Sequence, residues 1–313
     1  MGSMARPLLA DAVFANKAQA GKSDEINTCI ACNQACLDHI FNSKLTSCLV
    51  NPRACHELEL IVEKTKLVKT IVVVGAGPAG LAAAITAAEC GHKVTLFEAS
   101  NKIGGQFNLA KQIPGKEEFR ETLRYYTRQL ELRGVVLKLG VKVSAEKLNQ
   151  SNFDEIIMAT GIVPRIPAID GIDHKSVVSY IDVINGTVEL GHSIAIIGAG
   201  GIGFDVAELL SQKGKSSSLD IPTFMQEWGV DMSLAARGGI ERVQADPEQS
   251  PRTIYLLQRK PESLGKNLGK TTGWIHRLGL VKRGVKMISG CNYDRIDDQG
   301  LHLSINNDPQ LLA

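Results

Sequence analysis

Four cysteines, Cys29, Cys32, Cys36 and Cys48, fall within twenty residues near the start of the chain. Their spacing, C-x₂-C-x₃-C-x₁₁-C, sets three thiols close together and the fourth apart. Four thiolates in that pattern suit the corners of an iron–sulfur cubane. Tetrahedral zinc is the second reading, although zinc ribbons more often pair two CxxC units. Structural or disulfide cysteines are the third. Seven cysteines make an odd count, and clustered thiols in a reducing compartment more often bind metal or do redox chemistry than pair. Cys55 reads as a packed thiol beside the ligands. Cys90, in mid-helix, and Cys291, on a strand, read as small buried hydrophobes.

A second chemistry lies just downstream. Gly75-x-Gly77-x-x-Gly80 (with Ala79 inside it) follows an apolar run and precedes an alanine-rich one. The first glycine makes a tight turn, the second lets backbone approach a pyrophosphate, and the third packs helix on strand. Glu98 ends the next apolar run, where a carboxylate can hold a ribose diol. Gly198-x-Gly200-x-x-Gly203 repeats the pattern. There the following run ends in Arg259 and Lys260, a cationic pair that suits a 2′-phosphate and so favours NADP over NAD. Two dinucleotide units in one chain imply hydride passing between a nicotinamide and a flavin, with the protein supplying position.

The elements that must carry these groups are readable. Thr70–Val74 is a continuous apolar run, the mark of a strand covered on both faces. Lys93–Glu98 is a second strand, and a helix between them presents the glycine turn. "KEEFRETLRYYTRQLELRG" has helical periodicity and stops at Gly134. "VVLKLGVKVS" and "FDEIIMATG" read as strands, as does "RTIYLLQRK" after the second turn. "GVKMISGCNYDRIDDQGLHLSIN" reads as strands around a turn at Asp297–Gly300. Residues 5–22 read as a short helix or helix end, residues 27–56 as a loop with helical turns, and residues 212–252 as a weakly patterned insertion. The fold class is α/β.

The chain has 313 residues, 44% hydrophobic and 22% charged, with net charge +2. That is an ordinary globular composition of about two domains, too little basic to imply a nucleic-acid partner. It holds no apolar run long enough to span a membrane and no signal pattern, so a cytoplasmic location is expected.

The chain resembles the two-dinucleotide flavoprotein reductases through "GAGPAGLAAA", "TLFE", "MATG" (Met158–Gly161) and "GAGGIG". "MARPLLAD", "INTCIACNQACLD", "TSCLVNP", "GFDVAELL", "EWGVDMS" and "LGKTTGWIHR" narrow this to the bacterial NADPH-dependent 2,4-dienoyl-CoA reductases. These are old-yellow-enzyme-like iron–sulfur flavoproteins, akin to trimethylamine dehydrogenase. The resemblance implies two Rossmann-like units, for FAD and NADP, preceded by a four-cysteine segment. Residues 1–26 then match the end of a TIM barrel, 27–68 a [4Fe–4S] segment, 69–163 the FAD unit and 164–313 the NADP unit, with its insertion at about 212–252. It implies that Cys29, Cys32, Cys36 and Cys48 hold the cluster. It places Gln34 near the flavin, Gln106 and Val143 in contact with it, and His276 beside the nicotinamide. Arg6 matches a residue at the FMN phosphate, which in the full-length family sits in the barrel; a lone helix-end arginine is otherwise solvated.

The resemblance also implies a function: oxidation of NADPH and relay of electrons through FAD to the cluster. The acceptor would be an FMN-containing TIM-barrel protein or domain. Most of that barrel, and the segment that closes the FAD unit after the NADP unit, are not in this sequence. The chain therefore reads as an internal segment of a longer protein, without the site that reduces the dienoyl thioester. Two alternatives stay open: a stand-alone electron-transfer subunit like the small subunit of glutamate synthase, and an inactive nucleotide-binding fragment.

Overall fold

The computed structural model describes residues 3–313; the first two residues of the 1–26 segment lie outside the described residues. The chain divides into two compact units, Met1–Lys111 with Lys116–Pro164, and Gln112–Gly115 with Arg165–Ala313.

The first unit opens with two short helices, α1 (Arg6–Ala10) and α2 (Phe14–Gln19), where the sequence reads as one. The cysteine segment is irregular apart from α3 (Leu37–Phe41). Then come β1 (Thr70–Val74), α4 (Pro78–Glu89), β2 (Lys93–Phe97), α5 (Phe107–Ala110), α6 (Phe119–Leu132), β3 (Val136–Lys138), α7 (Ala145–Asn149) and β4 (Glu155–Met158). The four strands form one parallel sheet in the order β3-β2-β1-β4. β1 is central, which is why its middle residues Ile71, Val72 and Val73 are apolar and buried. Leu81 and Ala84 of α4 pack against it beside Leu96 of β2. Each fully buried leucine contributes about 2 kcal/mol of apolar transfer. The strand expected over "VVLKLGVKVS" shrinks to Val136–Lys138 at the sheet edge, because only those residues find a partner, on β2.

The second unit holds α8 (Tyr180–Asn185), β5 (Ser193–Ile197), α9 (Gly201–Ser211), α10 (Ile221–Trp228), β6 (Thr253–Leu257), α11 (Gly273–Lys282), β7 (Lys286–Ile288), β8 (Cys291–Asp297), β9 (Gly300–Ile305) and β10 (Asp308–Leu312). β5-β6-β7 is a parallel sheet, and β8, β9 and β10 an antiparallel one. The last hairpin turns through Asn306 and Asn307, both at positive φ (52° and 67°), the turn chemistry that asparagine tolerates. The insertion is more ordered than its sequence suggests. Asp220 caps α10 at its start, and Gly229 ends it in the left-handed region. Glu227 of α10 accepts Arg283 Nη2 at 3.0 and 3.1 Å, and Ser217 Oγ at 2.7 Å. Lys282 stands 4.6 Å over the Trp228 ring.

Cys291 is fully buried, as its strand position implies. Cys90 is not in mid-helix: it follows the last residue of α4 and is half-buried. Cys55 is exposed, with φ of 64°, and so is not the packed thiol expected; the chain turns outward there. Among the described residues no helix is long and apolar enough to cross a membrane.

Candidate functional site

The first glycine turn joins β1 to α4 as its sequence requires. Gly75 has φ of 104°, and a Cβ there would stand 2.3 Å from Ala159 O, beside the end of β4. A Cβ on Gly80 would lie 1.8 Å from Gly75 O, so the third glycine seats the helix on the turn. Gly77, the N-cap of α4, has nothing within 4 Å of its Cβ position. The first N–H groups of α4 have no intrahelical acceptor, and the open second glycine leaves room for an anion to reach them. Ala79 is exposed on the same turn. Glu98 accepts from Ala76 N–H and Ser100 N–H, both at 2.8 Å. It thus braces the turn from the strand end while its remaining lone pairs stay available. Gln106 is exposed just before α5, and Val143 is half-buried between β3 and α7.

The second turn reproduces the first. A Cβ on Gly203 would meet Gly198 O at 1.9 Å, whereas Gly200 faces open space. In front of it lies a cavity of about 660 Å³ lined by Gly198, Gly200, Gly201, Arg259 and Lys260. The glycine turn and the cationic strand end therefore share one wall. Arg165, Lys266, Asn267 and Tyr293 also line it, and burial pushes the Tyr293 phenol up to about 12. These four carry no local sequence signal; tertiary folding brings them in from separate loops and from β8. His276, exposed on α11, does not line this cavity.

The four thiols Cys29, Cys32, Cys36 and Cys48 line one small cavity together with Arg6, Asn33 and Leu49. Arg6 Nη1 donates to Asn33 Oδ1 at 2.6 Å. Gln34 lies on the loop surface. Burial pushes the Cys32 and Cys48 thiols up, and charge on the neighbouring cysteines adds to it. A cation bound beside Cys32 and Cys48 would favour their thiolate forms. Among the described residues no group of three or more His, Cys, Asp or Glu side chains is drawn together for one metal ion. A single tetrahedral ion needs thiols about 4 Å apart, from metal–sulfur bonds of about 2.3 Å; a multinuclear cluster sets them wider.

Comparison with known proteins adds the family. Residues 69–312 match the model described as pyridine nucleotide-disulphide oxidoreductase. The chain is 34% identical to a metal reductase of Desulforamulus reducens, over 95% of this chain and 44% of that protein. It is 36% identical to a cinnamate reductase of Clostridium sporogenes, over 70% of this chain and 33% of that protein. Its fold superposes on a 2-naphthoyl-CoA reductase solved with 2-naphthoyl-CoA, with TM-score 0.82 and 28% identity, over 99% of this chain and 42% of that one. The chain spans less than half the length of these relatives.

Proposed function

This chain belongs to the pyridine nucleotide-disulphide oxidoreductase family, and on that premise we propose that it is the NADPH-oxidising, electron-relaying part of a 2,4-dienoyl-CoA reductase-like enoate reductase. Family membership implies FAD and NAD(P)H as cofactors. We assign residues 69–163 to FAD, 164–313 to NADPH, and 27–68 to a [4Fe–4S] cluster on Cys29, Cys32, Cys36 and Cys48. When bound, NADPH supplies a hydride, FAD accepts it, and a cluster takes electrons singly.

The protein's own part is positional. Gly77 and Gly200 open the two turns to pyrophosphates, whose charge the starts of α4 and α9 attract. Glu98 braces the first turn and offers lone pairs to a ribose. Arg259 and Lys260 offer fixed positive charge to a 2′-phosphate. The observation that carries the reading is the shared cavity of the second glycine turn and this cationic pair. Reduction of an enoyl thioester belongs, in this proposal, to an FMN-containing barrel that receives the electrons.

The test is anaerobic purification followed by a visible spectrum, iron and flavin assays, and titration with NADPH and NADH. Bound FAD, about four irons per chain and reduction by NADPH in preference to NADH are the expected results. Colourless, iron-free protein indifferent to NADPH would end the reading.

A further inference from the structure

We propose that Arg124 and Glu89 are positioning residues that grip the two arms of the four-cysteine loop against α4 and α6. The consequence for a cluster rests on the iron–sulfur reading above; the grip itself rests on the geometry alone. The loop is closed at its neck, where the buried Asn27 donates through Nδ2 to Val50 O at 2.8 Å. On its N-terminal arm, Arg124 of α6 donates through Nη1 to Asp24 O at 2.6 Å, and through Nη2 to Ile26 O at 2.8 Å and Thr28 Oγ1 at 3.3 Å. Cys29 is the next residue. Arg124 Nε meets Glu121 Oε2 at 2.6 Å, which sets the plane of the fork. On the C-terminal arm, the two carboxylate oxygens of Glu89 take one guanidinium each, from Arg53 and from Arg133. Arg53 lies just past Cys48. Glu89 ends α4, the helix that begins at the first glycine turn.

A lone surface ion pair contributes little, but here a rigid fork satisfies the carbonyls of Asp24, in a single 3-10 turn, and of Ile26 just after it. Neither Arg124 nor Glu89 lines the thiol cavity. Arg124 acts through backbone carbonyls and Glu89 through the Arg53 side chain, tying the loop to α6 and to the end of α4, the helix that begins at the first glycine turn.

Hydrogen–deuterium exchange on the full chain, prepared without iron, tests this with Arg124→Lys and Glu89→Gln. Glu89→Gln is isosteric and Arg124→Lys keeps the charge on a stem one atom shorter, so both should fold; Lys lacks the fork, and Gln lacks the charge. In Arg124→Lys the amides of residues 23–36 should exchange about tenfold faster, the cost of one charge-assisted bond. In Glu89→Gln the same should hold for residues 48–55. β1 and α4 should be unchanged. After anaerobic reconstitution with ferrous iron and sulfide, both variants should show an altered electron paramagnetic resonance signal and midpoint potential at normal flavin content. Unchanged exchange in both arms, or faster exchange spread across the whole first unit, overturns the proposal. A wild-type chain that takes up no iron sinks the cluster reading instead, and exchange still decides the grip.

Discussion

Glu98 Oε2 accepts the backbone N–H of Ala76 at 2.8 Å, reaching from the end of one strand into the glycine turn of another. The carboxylate that sequence assigns to a ribose is therefore also a brace for the loop that would carry the pyrophosphate. Glu98→Ala removes both roles, and should weaken FAD binding by about a hundredfold, the loss of two hydrogen bonds to a charged group. Glu98→Gln keeps an acceptor for Ala76 and should lose less. The flavin-to-protein ratio after gel filtration reads the difference, and equal retention by both variants would refute the double role.

The glycines of each turn separate by purpose. Gly80→Ala and Gly203→Ala would drive a methyl to 1.8 and 1.9 Å from backbone oxygens. Each should lower stability by about 2–3 kcal/mol through forced backbone shifts. Gly77→Ala and Gly200→Ala meet no protein atom within 4 Å. They should leave the thermal midpoint of cofactor-free protein near wild type while weakening FAD and NADPH binding respectively. Calorimetry with and without each cofactor distinguishes the two pairs.

How far sequence reached follows the same physics. Both glycine turns and the strands around them were legible because turn geometry and buried parallel strands leave local signatures. The irregular cysteine segment was recognisable as a loop but not as one tied down by Arg124 and Glu89, whose partners on its arms lie 36 to 101 residues away. β10 escaped notice because Asp308 and Pro309 argue against a strand, while the signal for it, Asn306-Asn307, is a two-residue turn. The insertion read as weakly patterned because its order rests on helix caps and on the buried Glu227–Arg283 pair, which joins residues 56 apart, rather than on a long periodic run. Cys55 was misread because a thiol near other thiols says nothing about which way the chain turns.

Arg259 and Lys260 stand on the cavity wall beside the second glycine turn. If they meet a 2′-phosphate, Arg259→Ala should raise the KM for NADPH by about tenfold or more, with NADH little affected. The Lys260→Ala change should act in the same direction. Flavin reduction followed by stopped flow against both nucleotides measures this, and parallel losses for NADPH and NADH would show that the pair does not read the phosphate.

Arg283 and Glu227 are 6% and 8% exposed and hydrogen-bonded to each other. Burial raises the nearby Glu208 carboxyl, and Arg283 opposes that. Arg283→Met leaves the buried Glu227 carboxylate unpaired and should cost about 3–5 kcal/mol. Arg283→Met with Glu227→Met should recover most of it, since an apolar pair needs no compensation. Urea unfolding of the single and double variants decides, and additive losses would contradict the pairing.

Glu89 yields a pH dependence whose sign is determined. Burial alone would raise its carboxyl, but hydrogen bonds from Arg133 and Arg53 outweigh that and hold it below the ordinary range. A depressed carboxyl stabilises the fold above its unfolded value, about 4.3, and that contribution is lost as pH falls through the folded value. Wild type should therefore exceed Glu89→Gln in thermal midpoint by a constant margin from about pH 7 to 5. The margin should shrink below about pH 4, as protonation makes wild type resemble the amide. Thermal scans by circular dichroism across that range test the argument. A margin that grows on acidification would mean that the carboxyl lies above its ordinary value, and that the two guanidinium groups do not hold it.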